Sequence, residues 1–300
     1  MIDRCYLEIT NVCNLNCHFC PKHAREKRQM TAAEYELLTD KLRGEVCFLY
    51  FHLMGEPMLH PLLPQFIRKA RAKGFKTVLT SNGTLLHRAP ELLEALPHKI
   101  QLSLHSHESN GRGCLTDYVK EVMDFAEEAA RRGTCMVLRL WNQGGRDQEN
   151  PELIRMLEQR VPRPWVDRPD GYRMRENLYL EFDRKYEWPE SLMGTPEEEE
   201  EHYCKALVKQ IGVLCDGSLV PCCLDNDGRI TLGNLLTQSL DEILHSARAQ
   251  AMAEGFAHHQ AVEPLCQHCE SGAVNRSFRG NRKATRHRTD GAPGRAEESH

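Results

Sequence analysis

Apolar runs alternate with amphipathic segments along the first part of the chain. Residues 4–10 (RCYLEIT) read as a strand that opens into a cysteine-rich loop. Residues 31–43 predict a helix, with Thr31 as N-cap and Glu34 three positions on completing a capping box. Residues 46–53 (VCFLYFHL) form the apolar, aromatic run of a strand buried on both faces. A helix over 61–73 stops at Gly74, and a strand over 76–80 runs into the turn signal Ser81-Asn82-Gly83. The alternation continues with a helix at 89–96 and a strand at 99–104. A helix at 115–132, ended by Gly133, precedes a strand at 135–141, a helix at 151–160 and a strand at 177–182. Strands that alternate with helices imply a parallel sheet with right-handed crossovers. Six such strands fall short of the eight of a closed barrel. The expected fold is therefore α/β, an open, partial (β/α)6 barrel over residues 1–183.

The pattern changes beyond residue 183. Residues 184–203 are polar and contain five consecutive glutamates, Glu197 to Glu201, which predict an acidic linker. Residues 211–222 (IGVLCDGSLVPC) read as a β-hairpin turning at Asp216-Gly217. A helix is expected over 239–253, opened by a second capping box of Ser239 and Glu242. From 276 to 300 the apolar periodicity is lost. Seven Lys/Arg stand there against three Asp/Glu, and the segment reads as a disordered basic tail.

With 40% hydrophobic and 27% charged residues, the 300-residue chain can bury a sizeable core. No apolar run approaches the roughly 18 residues of a membrane span. The first residues lack the basic flank, apolar stretch and cleavage site of a secretory signal, so a cytoplasmic location without membrane contact is expected. A net charge of −4 gives no pointer to nucleic acid. Thirteen cysteines are many for such a protein, and in a reducing compartment they are more often metal ligands or reactive groups than disulfides. Cys5, Cys47, Cys114 and Cys135 stand singly in apolar or helical stretches and read as small buried hydrophobes.

In TNVCNLNCHFCPK, Cys13, Cys17 and Cys20 have Cx3Cx2C spacing, close enough to converge on one metal centre. His18 and His23 lie nearby, which leaves a zinc site open. A [4Fe–4S] cluster usually takes four thiolates, so three would leave one iron free for an outside ligand. With Phe19 before the last cysteine, the run resembles the Cx3CxΦC signature (Φ aromatic) of the radical S-adenosylmethionine superfamily, which carries it after the first barrel strand. Met54-Gly55-Glu56-Pro57, after the second strand, is similar to that family's GGE motif, with Met54 in place of the first glycine. The resemblance implies that Gly55 and Glu56 hold the methionyl amine. Glu56 also reads as a helix-start carboxylate beside Pro57. Ser81 and Asn82 end the third strand and Ser103 the fourth, at places that resemble contacts to the ribose or carboxylate, though they equally suit turns. Arg139, on the fifth strand, would be a bidentate partner for the S-adenosylmethionine carboxylate or a member of a structural salt bridge. His105 stands where many relatives carry Asp.

The second constellation is Cys204, Cys222, Cys266 and Cys269. Cys204, Gly217 and Cys222 give Cx12Gx4C, which resembles the opening of a SPASM domain. Only Cys266 and Cys269 follow, so the sequence over 204–275 resembles the truncated twitch form, with one auxiliary [4Fe–4S] cluster on four cysteines beside a hairpin and a helix. A zinc ribbon is the alternative, and Cys215 and Cys223 are spare candidates. Together the resemblances imply an enzyme that reductively cleaves S-adenosylmethionine to a 5′-deoxyadenosyl radical and takes hydrogen from a substrate. A flavodoxin- or ferredoxin-type reductant would serve it. The chain begins directly with the first barrel strand, so no N-terminal peptide-recognition domain is expected. That favours oxidation of a small molecule such as a sugar or cyclitol alcohol over modification of a ribosomal peptide. A non-enzymatic electron carrier or scaffold is the third reading.

Overall fold

In the computed structural model, residues 2–21, 23–88, 90–111, 113–185, 187–193 and 202–270 are described. The predicted acidic run at 197–201 and basic tail at 276–300 lie outside the described residues. The strands are β1 (Ile2–Leu7), β2 (Val46–Tyr50), β3 (Lys76–Ser81), β4 (Lys99–Ser103), β5 (Cys135–Gln143), β6 (Val166–Arg168), β7 (Gly171–Arg175), β8 (Leu178–Arg184), β9 (Gln210–Val213), β10 (Ser218–Val220) and β11 (Gly233–Asn234). They form one sheet in the order β11-β10-β9-β1-β2-β3-β4-β5-β8-β7-β6. β1 through β5 and β8 are parallel neighbours, the six strands of a partial barrel.

Helices Ala32–Leu42, Leu63–Ala72, Pro90–Ala95, Leu115–Arg131 and Asn150–Arg160 fill the crossovers. Side chains alternate across each strand. Leu7, Leu49, Phe51, Leu79, Leu102, Leu138 and Leu180 are fully buried in the same core as Tyr35, Leu38, Phe66, Ile67 and Val122 of the helices. The alternate positions carry rings and polar groups. Tyr6 meets Tyr50 (centroids 5.1 Å apart) and His52 (5.4 Å), and Thr80 Oγ1 bonds Gln101 Oε1. The sheet thus has one apolar and one chemically varied face. No helix among the described residues is long and apolar enough to cross a membrane.

Both capping boxes form: Thr31 Oγ1 accepts from Glu34 N while Glu34 Oε2 accepts from Thr31 N, and Ser239 and Glu242 repeat the exchange. The expected helix over 239–253 is instead two, Leu240–Leu244 and Ala247–Ala257, because Ser246 caps a new start through Ala249 N. Residues 161–177 hold the antiparallel β6–β7 pair ahead of β8, turning at Pro169-Asp170-Gly171. The C-terminal hairpin does not stand apart from the barrel. β9 pairs in parallel with β1, Cys5 opposite Ile211, and so extends the same sheet. Of the four cysteines read as buried, only Cys5 is; Cys135 is half-buried and Cys47 and Cys114 are exposed. Cys114 is the N-cap residue of Leu115–Arg131, outside the packed face. Cys47 lies on the side of Leu49 but one pleat nearer the strand's start, beyond the covered part of the sheet.

Candidate active site and cluster loops

The cysteine loop leaves the C-terminal end of β1 and is closed at its base by one side chain. Asn11 Oδ1 accepts from Arg28 N (2.8 Å) and Asn11 Nδ2 donates to Glu26 O (2.8 Å). Met30 N then bonds Ile9 O, returning the chain to the strand. Within the loop, Cys13 is exposed, and Cys17 and Cys20 are half-buried. Leu15 N donates to Cys13 Sγ (3.4 Å) and Asn110 Nδ2 to Cys17 Sγ (3.1 Å). The far side of the loop rests on the short helix Ser106–Asn110, through Asn16 N to Asn110 Oδ1 and His18 N to Ser109 Oγ (both 2.9 Å).

Glu56 stands beside this loop. Its Oε2 accepts from Asn82 N (2.8 Å) and its Oε1 from Met58 N (3.0 Å), which makes it the N-cap of the short turn Pro57–Leu59. The helix-start reading therefore holds, and it aims a buried carboxylate at the strand ends. Burial pushes this carboxyl up to about 7, with the Asn82 and Met58 N–H groups acting against the shift. Glu56 N bonds Val12 O (2.8 Å), and Gly55 has φ +79° with its Cα against Thr10 and Asn11. Although Cys13 is exposed as a residue, the atoms packed around its sulfur desolvate the thiol and push it up, and the nearby Glu56 and Cys17 push it further.

The other sequence-derived positions surround this pair. Asn82 Nδ2 donates to Asn14 Oδ1 (3.0 Å), and Asn82 O accepts from Tyr118 Oη (2.8 Å) and Ser106 Oγ. Ser81 Oγ contacts Met58 Sδ and accepts from Gly83 N. Both therefore serve the turn after β3 as well as lying near Glu56. Ser103, the last residue of β4, pairs in register with Arg139 in the middle of β5. The Arg139 guanidinium lies 3.5 Å over the Trp141 ring, with the positive charge facing His52, His105 and Glu181. His105 Nδ1 donates to Arg139 O (3.0 Å), and its ring packs on Phe19 (4.9 Å). Phe19 O accepts from Trp188 Nε1 (2.7 Å).

At the second constellation, Cys222 stands just past β10, after Pro221, and Cys266 and Cys269 flank the end of Pro264–Gln267. Burial pushes the Cys222 thiol well up, as do the neighbouring thiols of Cys223, Cys204 and Cys269. Cys266 is raised by burial and then by Cys204 and Cys269. Cys222 and Cys266 therefore each lie near Cys204 and Cys269. Cys223, pushed up to about 11 by burial, turns instead to the Tyr6 hydroxyl, though Cys269 is also near. Cys215 donates from Sγ to Glu8 O (3.1 Å), away from the group. Thiols that bury one another suit a soft, cationic centre, because binding requires thiolates and relieves their repulsion. Among the described residues no three His, Cys, Asp or Glu side chains converge on one ion site. A cubane distributes its thiolates over separate irons, so neighbouring sulfurs of this kind fit it.

Four participants escape the sequence reading. Glu8, Arg25, Asn14 and Asn110 hold the loop and the strand ends together. The available signal was a glutamate in an apolar run directly before the cysteine loop, since a fully buried carboxylate needs partners.

This combination, three cysteines after β1 of a six-stranded partial barrel and a carboxylate after β2, defines a class. The radical SAM superfamily profile matches residues 7–157, and an iron–sulfur cluster-binding domain profile, SPASM, matches 204–270; the chain belongs to the radical SAM superfamily. Membership implies a [4Fe–4S] cluster and S-adenosylmethionine, and the SPASM match implies further cluster binding. The chain is 35% identical over 96 residues to a tungsten-containing aldehyde ferredoxin oxidoreductase cofactor-modifying protein of Pyrococcus furiosus, covering 30% of this chain and 26% of that one. It is 35% identical over 108 residues to a GTP 3′,8-cyclase of Chlorobaculum tepidum, 34% and 33% of the two chains. It thus spans only about a quarter to a third of these relatives. Among solved structures, BtrN in complex with AdoMet and 2-DOIA superposes with a TM-score of 0.60 at 17% identity, covering 90% of this chain and 93% of that one. Streptococcus suis SuiB bound to precursor peptide SuiA gives 0.52 at 14%, covering 93% and 73%. At such identities these likenesses concern the fold.

Proposed function

We propose that this protein reductively cleaves S-adenosylmethionine and takes a hydrogen atom from a hydroxylated small molecule, with net oxidation. The observation that carries the reading is the buried Glu56 carboxylate beside the Cys13, Cys17 and Cys20 loop. Bound to those three thiolates, a [4Fe–4S] cluster would supply the electron that opens the sulfonium to a 5′-deoxyadenosyl radical. The protein's own groups bind, orient and shield. Gly55 and Glu56 take the methionyl amine, and Arg139 takes the carboxylate. Ser81, Asn82 and Ser103 line the strand ends toward the ribose. Phe19, packed on His105 and held by Trp188, covers the loop against water. Cys204, Cys222, Cys266 and Cys269 hold the auxiliary cluster, an electron acceptor for the oxidised substrate. A flavodoxin- or ferredoxin-type protein provides the reductant. The small-molecule class is supported by the chain's matching 93% of BtrN, whose structure holds 2-DOIA, against 73% of the peptide-bound SuiB.

Anaerobically reconstituted, dithionite-reduced protein is expected to convert S-adenosylmethionine to 5′-deoxyadenosine and methionine, and Cys17→Ala to abolish this. A wild type that holds only zinc and releases no 5′-deoxyadenosine overturns the reading. Turnover of a peptide, with no small polyol accelerating 5′-deoxyadenosine release, would replace the substrate class alone.

A further inference from the structure

Glu8 is the first residue after β1, and its side chain is completely buried. An isolated carboxylate in such a place is costly, and this one is met by four donors. Arg25 Nη1 and Nη2 fork onto its two oxygens at 2.6 and 2.7 Å. Met54 N donates to Oε2 (3.0 Å) and Cys215 N to Oε1 (3.2 Å). The four donors come from three separate segments. Arg25 lies in the stretch after Cys20. Met54 opens the Met54-Gly55-Glu56 loop. Cys215 sits in the turn between β9 and β10, with the single strand β10 between it and Cys222.

Arg25 has a second attachment on the auxiliary side. Its Nε donates to Asn226 O (3.0 Å), and the preceding Ala24 N donates to Asp227 Oδ1 (3.0 Å). Residues 226 and 227 belong to the loop that begins at Cys222, and that loop is fixed from within by Asp225, fully buried and accepting from Arg229 N and Ile230 N (both 2.8 Å). A continuous set of hydrogen bonds therefore runs from the auxiliary cysteine loop, through Arg25 and Glu8, to the loop that carries Glu56.

We infer that the Glu8–Arg25 pair couples the two cluster segments, so that an ordered auxiliary loop raises the affinity of the Met54–Glu56 loop for S-adenosylmethionine. The reason is the one-sided energetics of a buried ion pair: breaking it strands a buried charge. If the loop after Cys222 loses order, Arg25 loses the carbonyl that fixes its fork. Glu8 is then left with less compensation, and it turns or takes in water. Either response releases Met54 N, and Gly55 and Glu56 follow because they are the next two residues. Coupling of this kind is reciprocal, so S-adenosylmethionine in turn steadies the auxiliary loop. Glu8 and Arg25 are positioning residues in this account.

The inference rests on the proposed binding of S-adenosylmethionine, and a binding cycle separates the two. Four full-length proteins would be titrated anaerobically with S-adenosylmethionine by calorimetry: wild type, Cys266→Ser/Cys269→Ser, Arg25→Gln, and the combination. Iron analysis would establish the same filling of the Cys13, Cys17 and Cys20 site in each. Loss of the auxiliary ligands is expected to weaken binding about 5-fold or more, within the usual range of site-to-site coupling. Arg25→Gln should weaken it similarly, and the combination should be no worse than either. The change that S-adenosylmethionine makes to the electron paramagnetic resonance of the reduced protein should lose amplitude in parallel. If Arg25→Gln does not fold by circular dichroism, Arg25→Lys takes its place. Lysine keeps the charge but not the fork, and the same non-additivity is expected from it. A wild type that binds no S-adenosylmethionine rejects the parent reading and the coupling with it. Binding unchanged on loss of Cys266 and Cys269, or losses that multiply in the combination, rejects the coupling alone.

Discussion

The side-chain amide of Asn110 donates to Cys17 Sγ at 3.1 Å while its carbonyl accepts from Asn16 N at 2.9 Å. One residue thus fixes the backbone of the cysteine loop and places an N–H on a ligand sulfur. Hydrogen bonds to cluster sulfurs raise the reduction potential by favouring the more negative, reduced state. If the bond is about 1 kcal/mol stronger in that state, a fraction of an ordinary charge-assisted bond, its loss lowers a one-electron potential by roughly 40 mV. Asn110→Leu should therefore be harder to reduce in an anaerobic redox titration. An unchanged potential would mean that the bond to sulfur does not persist with the cluster in place.

Glu56 supplies a test by pH. Its carboxyl is raised from 4.5 to about 7 by burial. The folded state then holds the proton more tightly than the unfolded state. The associated stability is present below about pH 4.5 and is lost as pH rises through about 7, some 3 kcal/mol in all. Binding of a cationic amine needs the carboxylate, so affinity for S-adenosylmethionine should instead rise over the same interval. Glu56→Gln should flatten both trends and cost about 10-fold or more in affinity. Denaturant midpoints and calorimetric titrations at about pH 6 and 8 would read the two trends separately, and parallel trends would refute the assignment.

Gly55 tolerates no side chain. At φ +79° its Cβ would stand 2.3 Å from Thr10 O and 2.9 Å from two Asn11 backbone atoms. Alanine pays both for the left-handed backbone and for displacing the base of the cysteine loop. Gly55→Ala should cost at least ~2 kcal/mol in chemical denaturation and should lower iron retention as well as S-adenosylmethionine binding. Stability within a few tenths of wild type would show that the two loops are not in contact.

What the sequence made legible was local or periodic. The capping boxes at Thr31 and Ser239 are exchanges between residues three apart, so their partners are visible in the chain. The six parallel strands were readable because each buries an apolar run, as in VCFLYFHL. The β6–β7 pair was missed because its strands are short and largely exposed, although Pro169-Asp170-Gly171 announced the turn. The continuous helix expected over 239–253 failed at Ser246, whose capping role depends on the chain turning there. Non-local partners were out of reach. Nothing near Glu8 in sequence names Arg25, Met54 and Cys215 as its donors, which come from three separate loops. The exposure of Cys47 likewise depends on where the covering helices end.

The cysteines of the second constellation now make a sharper prediction than spacing did. Cys222 and Cys266 each lie near both Cys204 and Cys269. Four thiolates complete one cubane, so with the cluster on Cys13, Cys17 and Cys20 the protein should hold about eight irons. A Cys13/Cys17/Cys20→Ala variant should keep about half of them, as a [4Fe–4S] species by Mössbauer spectroscopy. Cys215 spends its thiol on Glu8 O, so Cys215→Ala should leave iron unchanged. Cys223 is the demanding case, because it neighbours both Tyr6 and Cys269. Its bond to the Tyr6 hydroxyl turns it toward the face of the sheet that carries Tyr50 and His52. Cys223→Ala should therefore retain the auxiliary iron, whereas Cys222→Ala should lose most of it. Equal losses would mean that the adjacent thiols exchange roles, and loss from Cys223→Ala alone would reverse the assignment. One tightly bound zinc in place of the retained iron would remove the auxiliary cluster, and with it the proposed electron acceptor, while leaving the chemistry of the first site untouched.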